Sequence, residues 1–165
     1  SLDDRIGYIV KAQSNGYNDY CDTVDALVDD LVIKMIPQPI KKQTFILRNM
    51  HFATAQTDIL PSSKSALDLL YKLLIENPNL YIKIVGHTDD VGSEQDNRIL
   101  SEGRANSIRE AMLKRGISAF RLKIQGKGES EPIVPNDTEA HKQMNRRVEI
   151  EILSGAENIN IELLQ

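Results

Sequence analysis

From Thr44 onward, apolar and polar positions alternate in a way that assigns elements one after another. "TFILRNMHF" is a β-rich run and reads as a first strand. "ATAQTDILPSS" is rich in turn residues. Pro61 then suits a first helical turn, where its missing N–H costs nothing, and Ser62 or Ser63 is placed to cap. Ala66, Leu67, Leu69, Leu70, Leu73 and Leu74 make one apolar stripe at three- and four-residue spacing, which predicts an amphipathic helix stopped by Asn77-Pro78. "LYIKIVG" follows as a strand, with Leu80, Ile82 and Ile84 on one face and Tyr81, Lys83 and Val85 on the other. A second helix ends near Arg115, with Leu100, Ala105, Ile108, Ala111 and Met112 inward and Gly116 as its C-terminal cap. "FRLKIQG" is a third strand. "KGESEPIVPNDTEAHKQMN" is a long polar loop, and "RRVEIEIL" is a last strand with Val148, Ile150 and Ile152 on one face and Arg147, Glu149 and Glu151 on the other.

The order is strand, helix, strand, helix, strand, strand. Each helix has a single apolar stripe and each strand one apolar face. The economical packing is an α/β two-layer sandwich, βαβαββ, with two main helices on one face of a mixed four-stranded sheet.

Residues 1–40 read differently. Tyr8–Val10 is a short β-like run before Asn15-Gly16. "DTVDALVDDLVIKMI" fits a short amphipathic helix, while its "LVIKMI" fits a strand equally well. "PQPIKK" then reads as a linker. The expected division is therefore an N-terminal extension, or the remnant of a preceding β-rich spacer, with its proline-containing linker over 1–40, a domain over 41–154 and a tail over 155–165.

Composition narrows the function. Hydrophobic residues are 41% and charged residues 27% of the 165, ordinary for a globular protein, and no apolar run approaches a membrane span. A net charge of -4, with 5% aromatics and no basic stripe, argues against nucleic acid. A single cysteine, Cys21, excludes an internal disulfide and any cysteine-based metal cluster.

Chemistry concentrates in "GHTDDVGSEQDNRILSEGRA", Gly86–Ala105. Asp89 falls at the carboxyl end of the second strand, where α/β folds commonly bind ligands. Ser93 and Asp96 have capping-box spacing, and the helix start offers free N–H groups. Arg104, further along that helix, projects toward the same mouth. Such a pair suits a zwitterion, Asp89 for an ammonium and Arg104 for a carboxylate; it equally suits a plain Asp89–Arg104 salt bridge. His87 has no second histidine nearby to complete a metal site, no GxSxG elbow supports a hydrolase, and "GKG" is too short for a phosphate loop. No cofactor is implied.

These motifs, together with "GI" at Gly116-Ile117, "GKGESEPIVPNDT" and "NRRVEIEI", strongly resemble the OmpA-like C-terminal domain, from about Thr44 to Leu153. That family includes the peptidoglycan-associated lipoprotein and the C-terminal part of the flagellar stator protein MotB. The resemblance implies a periplasmic, non-enzymatic module, associated with the outer membrane in the full-length protein. Its partner would be peptidoglycan, bound through the diaminopimelate residue of the peptide stem, with other envelope proteins reached through the rest of the chain. By position, Asp89 would receive the ammonium and Arg104 the carboxylate. Asn97 and Leu100 would line the pocket, Arg147 or Arg146 would border it, and Phe52 and Ala53 would contribute from the end of the first strand. Val91 departs from the polar residue, often Thr, of many relatives, and His141 and Gln143 from their usual Gly and Arg. The competing reading is a scaffold domain of an envelope complex that keeps the fold without wall binding.

Overall fold

From Phe45 to Ile152 the apolar faces of strands and helices meet in one hydrophobic core. A computed structural model describes residues 43–155, together with the backbone of two earlier strands, β1 (Gly7–Ala12) and β2 (Tyr20–Asp25). The chain divides into two compact units, Ser1–Lys41 and Lys42–Gln165. In the first, β1 and β2 pair antiparallel, with Gly7 opposite Asp25 and Ala12 opposite Tyr20. Of the segment whose spacing fits a helix, Asp22–Asp25 belong to β2 instead, their backbone paired with β1; the rest of that segment, the Asn15-Gly16 turn, the proline linker and the tail beyond Gly155 lie outside the described residues.

In the second unit, β3 (Gln43–Ile46), α1 (Lys64–Glu76), β4 (Tyr81–His87), α2 (Glu94–Lys114), β5 (Leu122–Gly128), α3 (Glu139–Asn145) and β6 (Val148–Ser154) follow in order. The sheet order is β3-β6-β4-β5. β6 runs antiparallel to both β3 and β4, and β4 runs parallel to β5, so the sheet is mixed as the pattern predicts. One sheet face carries Phe45, Ile82, Ile84, Leu122, Val148, Ile150 and Ile152. It joins Ala66, Leu70, Leu73 and Leu74 of α1 and Ala105, Ile108 and Met112 of α2 in a single cluster. Each fully buried Leu or Ile of that set contributes about 1.5–3 kcal/mol.

Three details differ from the pattern. The first strand ends at Ile46, because Asn49 takes a positive φ of 58° and turns the chain; Phe52 instead forms an isolated bridge with Ile59. Leu69 is exposed on α1, at the margin of the stripe. The long polar loop contains the short helix α3, capped by the Thr138 hydroxyl, which accepts from the His141 N–H at 3.1 Å.

Two glycines set the height of α2 above the sheet. Gly86 and Gly126 sit opposite each other on β4 and β5. A Cβ on Gly86 would lie 2.1 Å from the Ser101 carbonyl oxygen, and one on Gly126 would lie 2.5 Å from the Glu102 nitrogen. The backbone of α2 therefore rests directly on the strands, and its first half is held beside the carboxyl end of β4. At the start of α2, the Ser93 hydroxyl accepts from the Asp96 N–H at 3.1 Å and donates to the Asp96 carboxylate at 2.7 Å.

Candidate functional site

At the carboxyl end of β4 the chain opens a cleft of about 790 Å³. Thr88 and Asp89 come from the loop that directly follows β4, and Asn97, Leu100 and Arg104 from α2. Phe52, Met50 and Leu60 come from the segment after β3, and Glu139, Gln143 and Arg146 from α3 and its end. Polar groups thus converge on an apolar shelf, which is how binding clefts are commonly built.

Asp89 is buried. Its Oδ1 accepts the Val91 N–H at 3.1 Å, and its Oδ2 is ion-paired with Nη1 of Arg146. Arg104, also buried, donates from Nε to the Gln56 carbonyl at 3.0 Å and lays its guanidinium 5.1 Å from the centroid of the Phe52 ring. Among the described residues no carboxylate lies within 4.0 Å of Arg104, so the direct Asp89–Arg104 bridge is not formed. Burial lowers the Arg104 pKa, the like charge of Arg146 lowers it further, and Asp89 pulls the other way. Arg146 is drawn down by burial, but its contacts with Glu139 and Asp89 outweigh that and raise it overall.

Asn97 is buried and points its amide into the site wall. Nδ2 donates to the Asp89 carbonyl at 3.3 Å and to Glu129 Oε2 at 2.6 Å. It therefore braces the Asp89 loop as well as lining the cleft. Thr88 is only 4% exposed, and its hydroxyl has no hydrogen-bond partner.

Two residues that the resemblance places at the site stand elsewhere. Arg147 lies on the opposite sheet face, where Nε donates to Glu149 at 2.7 Å and Nη2 to the Glu131 carbonyl at 3.1 Å. Strand alternation explains this, since Arg147 shares a face with Glu149 and Glu151; Arg146, just before β6, is the arginine that borders the cleft. Ala53 does not line the cleft. Its N–H donates to the Asp58 carbonyl and its own carbonyl accepts from the Gln56 N–H, both at 3.0 Å, forming the turn whose Gln56 carbonyl meets Arg104.

Sequence reasoning missed Glu139, Glu129 and the Gln56 carbonyl. Each acts through tertiary contact between segments far apart in the chain. Only Glu139, at the start of a segment capped by Thr138, carried a local signal.

His87 is fully buried on the far side, with neither ring nitrogen hydrogen-bonded and Nε2 3.6 Å from Glu149. His87 and then Arg147 hold the Glu149 carboxyl down to about 2 against the opposing effect of burial. At 3.6 Å the His87 contact is electrostatic, and the 2.7 Å bond from Arg147 is the direct one. Among the described residues no group of three or more His, Cys, Asp or Glu side chains is placed to hold a metal ion. Nor is any described helix long and apolar enough to cross a membrane.

The mixed four-stranded sheet with its helices, and a cleft walled by Asp89 and two arginines, define an OmpA-like α/β module. Residues 51–146 match the OmpA family, and the chain belongs to it. It is 32% identical over 117 residues to Outer membrane protein A of Bordetella avium, covering 71% of this chain and 60% of that protein. It is 29% identical over 119 residues to Outer membrane porin F of Pseudomonas fluorescens, covering 72% of this chain and 36% of that one. The chain thus spans less than two thirds of the length of these curated relatives. Among solved structures, the peptidoglycan-associated lipoprotein from Burkholderia pseudomallei superposes with a TM-score of 0.59 at 23% identity, over 62% of this chain and 87% of that one. The cell wall anchor of the T6SS from Pseudomonas aeruginosa gives a TM-score of 0.56 at 23% identity, over 66% and 78%. At those identities the likeness is one of fold.

Proposed function

We propose that this domain binds peptidoglycan non-covalently and anchors an envelope protein or assembly to the cell wall. The bound group is the diaminopimelate side chain of the peptide stem. The observation that carries this reading is the separation of Asp89 from Arg104 across one cleft. A buried carboxylate and a buried guanidinium, not paired with each other, are complementary to an ammonium and a carboxylate on one ligand. Arg104 presents its terminal nitrogens from a guanidinium already oriented by Gln56 and Phe52, which lowers the ordering cost of binding. Names among the relatives and fold neighbours, a peptidoglycan-associated lipoprotein and a cell wall anchor, support the same class of ligand. The module is non-catalytic in this reading and works in the periplasm, attached to the outer membrane through the rest of the protein.

Co-sedimentation with isolated sacculi tests the proposal. Wild type should pellet with the wall, while Asp89→Ala and Arg104→Ala should remain in solution with unchanged circular dichroism. Losing one charge-assisted partner should weaken binding roughly ten- to hundredfold, about 1.5–3 kcal/mol. A wild type that stays in solution would favour the scaffold reading; mutants that still pellet would move the site elsewhere.

A further inference from the structure

The cleft is occupied unevenly by the protein itself. Both oxygens of Asp89 are engaged, Oδ1 by the Val91 N–H and Oδ2 by Arg146. Arg146 is in turn secured by Glu139, and by Gln143 Oε1, which accepts from Nη2 at 2.7 Å and from Nε at 3.2 Å. A second ion pair, Lys142 to Asp90 at 3.6 Å, fastens the same short helix α3 to the same loop. Arg104 presents the opposite situation. Its Nε meets Gln56 and its face meets Phe52, but among the described residues its terminal nitrogens have no acceptor. The half of the site that would take a cation is filled by a cation of the chain, and the half that would take an anion is open.

We propose that Arg146 is a built-in stand-in for the ligand's ammonium, which a ligand carboxylate draws away from Asp89 by entering between Arg104 and Arg146. The proposal rests on the zwitterion reading above and adds an order of events. Two guanidinium groups line one cleft, and the repulsion of Arg146 is among the causes that lower the Arg104 pKa. An incoming carboxylate relieves that repulsion and offers Arg146 a second acidic partner. Asp89 is then released toward the ligand's ammonium. An amine without a carboxylate lacks this route. It must displace a guanidinium that is tethered beside Asp89 at high effective concentration. The site consequently selects for the carboxylate first and reads the ammonium second, and Arg146 is the specificity-determining residue.

Two side-chain probes separate the steps by calorimetry: Nα-acetyl-lysine N-methylamide, with the amine alone, and Nα-acetyl-2-aminopimelate α-N-methylamide, with the side-chain carboxylate alone. For wild type the acid probe should bind at least about tenfold more tightly than the amine probe. In Arg146→Met the preference should cross over, the amine probe gaining and the acid probe losing about tenfold each. A variant-free readout runs alongside. In wild type, saturation with the acid probe should shift the carboxyl ¹³C resonance of Asp89, although that probe carries no amine to touch it. An amine probe that gains nothing in Arg146→Met, or an Asp89 resonance that stays in place, overturns the exchange. Free meso-diaminopimelate serves as the control for the reading beneath it. If wild type binds meso-diaminopimelate without the crossover, only the exchange fails; if it binds none, the zwitterion site fails and the exchange with it.

Discussion

Asp89 and Arg104 wall the same cleft, yet Asp89 is paired with Arg146, while Arg104 is held by the Gln56 carbonyl and the ring of Phe52. Arg104 is therefore oriented by its planar shape as well as its charge. Arg104→Lys keeps the charge but loses the Nε–Gln56 bond and the flat contact with Phe52. The expected result is at least about tenfold weaker binding of meso-diaminopimelate by calorimetry, with little change in melting temperature.

The height of α2 over the sheet should be the least forgiving feature of the fold. Gly86→Ala drives a Cβ into the Ser101 carbonyl, which belongs to helix backbone and cannot rotate aside. Overpacking of this kind costs roughly 1–3 kcal/mol or more. Urea denaturation should show that loss, and the displaced helix should carry Arg104 and Leu100 away from Asp89, so ligand binding should fall in parallel.

The apolar periodicities made the sheet, both long helices and the placement of Asp89 and Arg104 legible in the sequence. Ile82, Ile84, Ala105, Ile108 and Met112 all face the core as their spacing requires. The roof of the cleft was not legible. "EAHKQMN" has no apolar stripe, and its helix is held by Asn145 and by ion pairs to a loop some fifty residues earlier, which no local pattern encodes. The choice between Arg146 and Arg147 was closer to readable, because Arg147 already shared its strand face with Glu149 and Glu151. Asn49 ended the first strand early through a positive φ that an apolar count does not register.

Asn145 should be the key to that roof. Fully buried, it accepts the Ile133 and Val134 N–H groups at 2.9 and 3.2 Å, and donates to the Val134 carbonyl and the Asn136 side chain, both at 2.8 Å. Asn145→Ala strands two backbone donors and should cost about 2–3 kcal/mol. Limited proteolysis should then cut within residues 129–138 before anywhere else among the described residues.

Acid sensitivity should trace in part to Glu149. Its pKa falls from an ordinary 4.5 to about 2 in the folded domain, so the unfolded chain binds the proton more readily. The stabilisation is present above about pH 4.5 and disappears as pH drops toward 2, amounting to at most about 3 kcal/mol. Melting temperatures taken from pH 6 to pH 2 should fall less steeply for Glu149→Gln than for wild type.

The most direct measurement of the zwitterion clamp is a crystal structure with meso-diaminopimelate soaked into the cleft. The result predicted is one ligand end seated between the two walls, its ammonium within about 3 Å of the Asp89 carboxylate and its carboxylate on the terminal nitrogens of Arg104. A saturated crystal in which the ligand lies elsewhere, or in which Asp89 and Arg104 contact neither end of it, would contradict the assignment.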